Sequence, residues 1–282
     1  MGELLRVCGA TVMVDTPSGP ATLLDGIDVS LAEGEFLALV GKNGSGKSTL
    51  LQVIAGLCPL SAGELIWRDP ASDPQRTSLV FQNPSLQMIG DTVLETVAFG
   101  LENGGMSEQD ILERVRASLR AVGMEGLLQE RTMTLSGGEQ QLVGVAAALA
   151  TDAQLLLFDE AAAMLDHVSR SRLMDAVRSL RERGCTVIWA THDMDEVALA
   201  DRVIALERGR MVFEGTPRSF FYGGCDGGSS GSSSSTVPCV ELGFSPPLVV
   251  SVAREMVKAG ANVREWPLTE QQFWRMVEHL WR

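Results

Sequence analysis

The chain has 282 residues, 45% of them hydrophobic, and a formal net charge of −13. That length accommodates one large domain with an appendage or two modest domains, and the hydrophobic content excludes wholesale disorder. The acidic balance, with lysine only at Lys42, Lys47 and Lys258, argues against sequence-independent nucleic-acid binding, which rests on neutralising many phosphates.

In chain order, the amino-terminal stretch MGELLRVCGATVMVD carries acid early and no basic run before an apolar one, so no secretory signal is expected. The first fully apolar run, FLALV (Phe36–Val40), suits a strand in a sheet covered on both faces. It leads into GKNGSGKST, which fits G-x-x-x-x-G-K-[ST] from Gly41 to Ser48, after a strand and before a helix as the motif requires. Within it Gly41, Asn43, Gly44, Ser45 and Gly46 form a loop whose glycines let successive N–H groups face a phosphate. Lys47 adds positive charge at the terminal phosphates, and Ser48 offers a hydroxyl to Mg²⁺. A bound nucleoside triphosphate is expected.

Ser107 caps a helix over EQDILERVRASLRAVG that aligns Ile111, Leu112, Val115, Leu119 and Val122. LSGGEQQLVGVAAALA (Leu135–Ala150) starts another, with Ser136 as N-cap and Glu139 completing a capping box. Gly137 and Gly138 are costly there, each about 1 kcal/mol against alanine in a helix interior. A bare backbone at a helix's positive end suits close approach of an anion.

LLLFD (Leu155–Asp159) reads as a buried strand ending in two acids. Asp159 is the natural partner of the magnesium, and Glu160 of a water to be oriented or deprotonated for in-line attack. Val168 to Arg183 groups Leu173, Val177 and Leu180, with Gly184 as a stop. CTVIWATH (Cys185–His192) is a third apolar strand, and His192 at its end lies where ligands bind in such sheets. His167 and His279 are assigned no role. RVIALERGRMVFEG reads as a hairpin turning near Arg208-Gly209. Strands alternating with helices imply an α/β fold with a largely parallel sheet. Apolar runs such as Leu142–Ala150 fall far short of the roughly 20 residues that cross a bilayer.

GGCDGGSSGSSSST (Gly223–Thr236) is a flexible linker by composition, followed by a tail of residues 237–282. The tail reads as two short helices. One starts at Ser245 with Pro246 in the first helical position and stops at Gly260. The other is capped by Thr269 with Gln272 three residues on; Phe273, Val277 and Leu280 line one face, and Trp274 and Trp281 a neighbouring stripe. So short a segment buries too little to fold alone and is expected to dock on the main domain or on a partner. Cysteines Cys8, Cys58, Cys185, Cys225 and Cys239 are odd in number and contain no Cys-x-x-Cys pair. A reducing setting without a zinc knuckle or disulfide frame follows.

Taken together, the motifs resemble the ABC ATPases. Gly41–Thr49 matches the Walker A motif, Gln82 the Q-loop, Leu135–Gln140 the signature, Leu155–Glu160 Walker B, Asp166 the D-loop and His192 the H-loop, in the family's order. The resemblance covers residues 4 to 222. It implies a RecA-like core with a parallel sheet, an antiparallel β part and a helical subdomain inserted at about residues 92–148, within an ATPase domain of residues 1–222. It also implies two ATPase domains head to tail, each signature helix capping the nucleotide on the other's P-loop. Ser136 and Gly138 would then contact the partner's γ-phosphate, with Gly137 serving the same nucleotide. Thr49 would bond the α-phosphate, Gln82 would touch magnesium, Asp166 would run along the dimer seam and His192 would hold the γ-phosphate. ATP and Mg²⁺ are the implied ligands.

VFQNPSLQMIGDTVLETVAFGLEN (Val80–Asn103), with ELGFSPP and WPLTEQQF in the tail, is similar to the ATPases of energy-coupling factor transporters and their cobalt/nickel relatives. That likeness implies ATP-driven uptake of a vitamin or transition-metal ion, peripheral to the cytoplasmic face of the cell membrane. The implied partners are a second ATPase copy or paralogue, a transmembrane coupling protein and a membrane substrate-binding protein, with the tail helping to hold the two ATPases together. Asp91 and Glu95 are candidate acidic receivers for the coupling protein, or simply a solvated helix face. Departures from the pattern are Val14 in place of an adenine-stacking aromatic, Leu142 for an arginine, Ser85 and Leu86 for an acid and an asparagine, and His167 for a proline. Rival readings are the ATPase of another importer, a soluble ABC ATPase without membrane partners, and a subunit that binds ATP without turnover.

Overall fold

The long amino-terminal strands β1 (Glu3–Thr16) and β2 (Gly19–Ala32) alternate buried and exposed residues, the period of a half-covered sheet. They pair antiparallel, and after β3 (Phe36–Val40) and α1 (Lys47–Ile54) the strand β4 (Ala62–Trp67) joins β1 on its free side. Strand β3 is different, because every one of its residues is buried. So is every residue of β6 (Leu155–Asp159) and β7 (Thr186–Thr191). With β5 (Thr77–Val80), β8 (Arg202–Glu207) and β9 (Arg210–Gly215) they form a second sheet in the order β5-β6-β7-β3-β8-β9. Its pairs are parallel except β8–β9, the expected hairpin. The computed structural model describes residues 2–17, 19–68, 76–102, 105–223, 237–261, 263 and 265–280.

Both faces of the larger sheet are covered, which is why its strands read as unbroken apolar runs. On one face Leu37, Leu39, Leu155, Leu157 and Ile188 pack with α1 and the antiparallel sheet. On the other, Phe36, Phe158 and Trp189 pack beneath helices, with the Phe158 and Trp189 rings 4.6 Å apart. Helices α2 (Val93–Ala98), α3 (Glu108–Ala121) and α4 (Gly137–Ala150) lie between β5 and β6 in sequence and share one core through Val97, Val115, Leu119 and Val143. Leu142, at a position where the resembled family has an arginine, is 5% exposed in that core, so an apolar side chain suits the place. Helix α5 (His167–Glu182) follows β6, and α6 (Met194–Val197) and α7 (Pro217–Tyr222) flank the β8–β9 hairpin.

In the tail, α8 (Pro238–Glu241), α9 (Leu248–Lys258) and α10 (Glu270–Leu280) replace the two helices expected. Helix α9 starts at Leu248 rather than at Pro246, with extended Pro247 in the cap position and no side-chain cap from Ser245. The reason is local: a residue that precedes a proline is pushed out of the α region, and Pro246 precedes Pro247. Thr269 Oγ1 accepts from Gln272 N as expected, but Gln272 Oε1 accepts from Leu268 N. Among the described side chains of α10, Met276 is buried, flanked by half-buried Phe273 and Val277, while Trp274 is exposed and Trp281 lies outside the described residues. The tail docks on the main domain, where Val237, Cys239 and Val250 pack against Phe220, Phe221 and Tyr222. Tyr222 also donates to Pro267 O at 2.5 Å. From residue 224 the glycine–serine stretch lies outside the described residues. Among the described residues no helix is long and apolar enough to cross a membrane.

Candidate functional site

Strands β5, β6, β7 and β3 are neighbours in the larger sheet, and their carboxyl ends carry Gln82, Asp159–Glu160, His192 and the Gly41–Ser48 loop. Strand order alone thus brings four distant segments to one edge, where open α/β sheets bind ligands. The loop needs its glycines. A Cβ on Gly41 would lie 2.3 Å from Ser45 Oγ and 2.6 Å from Leu206 O, and Gly46 caps α1 with φ 106°. The Lys47 side chain is buried, donates to Gly41 O at 2.7 Å and lies 3.4 Å from Glu160 Oε1. Leu23, Gln82 and Glu160 close a cavity of about 370 Å³ over Asn43–Thr49.

Asp159 is 6% exposed, and its burial pushes the carboxyl above its usual range, opposed by the Ser48 hydroxyl. Asp159 Oδ1 and Ser45 Oγ are buried without a hydrogen-bond partner. Such orphaned oxygens are rare and costly, and they fit atoms reserved for a ligand. Asp159, the Ser48 hydroxyl and the Gln82 side chain together offer the oxygens that magnesium prefers beside a phosphate.

Glu160 is the hub of the site. Its φ of 49° places it in the left-handed region, at a cost of about 1–2 kcal/mol for a residue with a Cβ. The turn is held by its own N–H, which donates to Ala190 O at 3.0 Å. Gln82 Nε2 donates to Glu160 Oε2 at 3.1 Å, and His192 Nδ1 lies 3.5 Å from the same oxygen. Backbone strain of this kind concentrates at functional sites.

The signature residues lie apart from this cluster. Ser136 Oγ accepts from Glu139 N at 3.3 Å, and Glu139 Oε2 accepts from Ser136 N at 2.8 Å, the reciprocal box read from the sequence. That bonding, led by the Ser136 hydroxyl, holds the Glu139 carboxyl below its usual range. Ser136 and Gly137 are exposed, and neither they nor Gly138 line the P-loop cavity. Asp166 is an exposed N-cap of α5, accepting from Ser169 N at 2.9 Å. The structure therefore gathers Gly41–Thr49, Gln82, Asp159, Glu160 and His192, and leaves Ser136, Gly137, Gly138 and Asp166 on other surfaces of the chain.

Other candidates move. Glu95 Oε2 accepts from Asp91 N and Thr92 N at 2.8 and 3.1 Å, so its carboxylate is engaged at its own helix end. Val14 is exposed on β1, and the apolar residue that lines the cavity is Leu23, which sequence reasoning missed. Arg170 and Glu196, packed behind His192, were missed as well, since charged residues at helical spacing read as surface. A cavity of about 1050 Å³ lies at the amino ends of β6 and β7 against α3 and α5, away from all of these groups. Described cysteines Cys8, Cys58, Cys185 and Cys239 are free, and burial pushes the Cys185 thiol up to about 11.

The ABC transporter family matches residues 24–163. The energy-coupling factor transporter ATP-binding protein EcfA1 of Bacillus subtilis (strain 168) is 34% identical over 270 residues, covering 92% of this chain and 89% of the relative. Its counterpart in Streptococcus pyogenes serotype M1 is 36% identical over 261 residues, 88% of each chain. The chain belongs to the ABC transporter ATP-binding proteins, in the energy-coupling factor group. Among solved structures, a dimeric ATP-binding cassette in a post-hydrolysis state bound to ADP and Pi superposes on this ABC ATPase with a TM-score of 0.71 at 28% identity. That match covers 77% of this chain and 100% of the other. The cbiO1 protein of Clostridium perfringens, part of the ABC transporter complex cbiONQ, superposes with a TM-score of 0.67 at 31% identity, covering 78% of this chain and 91% of that one. As a member of its group the chain is an ATP-binding ATPase coupled to membrane transport.

Proposed function

We propose that this ATPase works as one half of a head-to-tail pair and drives uptake of a vitamin or transition-metal ion through an energy-coupling factor transporter. The observation that carries the reading is the convergence of Lys47, Gln82 and His192 on one strained carboxylate, Glu160, beside a phosphate loop. Gly41–Thr49 cradle the phosphates of ATP, with Lys47 released from Gly41 O and Glu160 toward the terminal phosphates. Glu160 orients the attacking water and accepts its proton, and His192 holds the γ-phosphate. Asp159, Ser48 and Gln82 would hold Mg²⁺, which when bound would neutralise phosphate charge. Ser136, Gly137 and Gly138, with Asp166 nearby, complete the site of a second ATPase subunit, identical or paralogous.

The transport partners in this reading are a transmembrane coupling protein and a membrane substrate-binding protein, and the ATPase lies against the cytoplasmic face of the membrane. Its support is the naming of the relatives as transporter subunits and the membership of cbiO1 in a transporter complex. The deciding experiment is Glu160→Gln in steady-state turnover. Loss of about 10²-fold or more with ATP binding intact is expected, as for removal of a general base. Native turnover by that variant would overturn the assignment.

A further inference from the structure

Behind His192 lies a charged network that none of the nucleotide motifs includes. Trp189 and Thr191 turn in from β7 toward Glu196, and His192, just past the strand, lines together with Thr191, Arg170 and Glu196 a cavity they share with Glu160. Glu196, 5% exposed, gathers the inward pair: its Oε2 accepts from Trp189 Nε1 at 2.8 Å and from Thr191 Oγ1 at 2.6 Å. Thr191 Oγ1 in turn accepts from Asp193 N at 3.0 Å, which fixes the backbone on both sides of His192.

Arg170 reaches this cluster from α5, one helical turn beyond Asp166, whose carbonyl accepts from Arg170 N at 2.9 Å. One guanidinium makes two hydrogen bonds and one looser ion-pair contact, its Nε having no hydrogen-bond partner. It donates to Asp193 Oδ2 next to His192, it donates to Ala162 O at 3.3 Å in the segment that leaves Glu160, and its Nε lies 3.7 Å from Glu196 Oε1. It therefore ties the loop carrying His192 to the loop carrying Glu160. A part-buried ion pair at such a junction adds little to stability by itself. Its worth lies in geometry: a planar fork can hold two loops at a set separation in a way a single ammonium cannot.

We propose that Arg170 is a positioning residue for ATP hydrolysis, holding Glu160 and His192 at their working separation, and that Glu196 anchors it there. The proposal rests on the roles given above to Glu160 and His192. It acts on turnover and not on nucleotide affinity, because neither Arg170 nor Glu196 lines the P-loop cavity.

The test is a double-mutant cycle on the full chain, reading kcat and the affinity for a fluorescent ATP analogue. Arg170→Met is expected to lower kcat about tenfold or more while changing affinity by less than about threefold. Arg170→Lys, which keeps the charge and loses the fork, recovers part of the loss. In a His192→Ala background, Arg170→Met costs less than about threefold further, because the group it positions is already gone. Glu196→Gln gives the same pattern more weakly and keeps the cycle readable if Arg170→Met does not fold. Equal losses with and without His192, an unchanged kcat, or a loss confined to affinity would overturn the proposal. If His192→Ala alone leaves turnover intact, the role of His192 fails and the inference falls with it. If His192→Ala is crippled and the Arg170 variants are not, only the inference fails.

Discussion

At the start of α1, Gly46 has φ 106° and an added Cβ would lie 2.8 Å from Leu24 Cδ2. At the start of α4, Gly137 and Gly138 keep φ outside the left-handed region, and added Cβ atoms would meet only Met164 Cε at 4.0 Å and Met164 O at 3.4 Å, ordinary contacts. The two helix ends look alike in sequence and differ in what demands their glycines. The fold of the chain itself demands the first. Nothing among the described residues demands the second pair, although glycine costs helix stability, which is what the proposed approach of an outside ligand would require. In the proposed head-to-tail pair, that difference would separate a nucleotide held by this chain from one presented by a partner.

The largest effect is expected where the demand is internal. Gly46→Ala forces a Cβ into both a left-handed backbone and Leu24, costing about 2 kcal/mol or more and abolishing ATP binding. Calorimetric titration with ATP and a thermal melt check both parts, and retained affinity would break the comparison from the P-loop side.

The next effect sharpens it from the other side. Gly138→Ala is expected to keep or raise the melting temperature, since alanine gains up to about 1 kcal/mol in a helix. ATP binding to the single chain should be unchanged, while turnover falls about tenfold or more. Mixing that variant with Lys47→Ala chains should restore turnover, because one composite site in the mixed pair then has an intact loop and an intact signature. Failure to restore it would remove the head-to-tail pair of identical chains.

The smallest effect concerns the cost stored at the α1 end alone. Burial raises the Asp159 carboxyl in the folded state above its unfolded value. Its contribution to stability is therefore fullest below the unfolded pKa and is lost as pH rises through the folded one. Asp159→Asn should raise the melting temperature of protein free of nucleotide and magnesium at about pH 7.5, with the gain shrinking toward about pH 4, the ordinary carboxylate value. Equal gains at both pH values would refute burial as the source. No such pH-dependent gain is expected from Glu139→Gln at α4, where the carboxyl is held low, not high.

Features written in neighbouring residues were legible before the fold was known. The unbroken apolar runs of β3, β6 and β7, the face of α3, the β8–β9 hairpin and the box at Ser136 and Glu139 each depend on side chains within a few positions of one another. The tail shows how narrow that reach is: one further proline moved the start of α9 to Leu248, by a local rule that the simpler cap-plus-proline pattern overlooks. Arg170 and Glu196 were not legible, because a charged residue on a helix is normally solvated, and only packing at the end of β7 buries Glu196 and half-buries Arg170 beside it. Leu142 reads as a departure from a family pattern and proves to be a core residue once α2, α3 and α4 are packed together.

Residue order by itself determined the phosphate loop, the apolar strands and the two acids that end β6, since each is a short-range pattern of backbone freedom, hydrophobicity or charge. The tertiary structure alone decided that Gln82, Glu160, His192 and Lys47 meet, because that meeting depends on β5, β6, β7 and β3 lying side by side. It also set the left-handed turn at Glu160 and the guanidinium clamp behind His192. Those are consequences of strand order and helix packing, and contacts between segments so far apart in the chain leave no local periodicity to read.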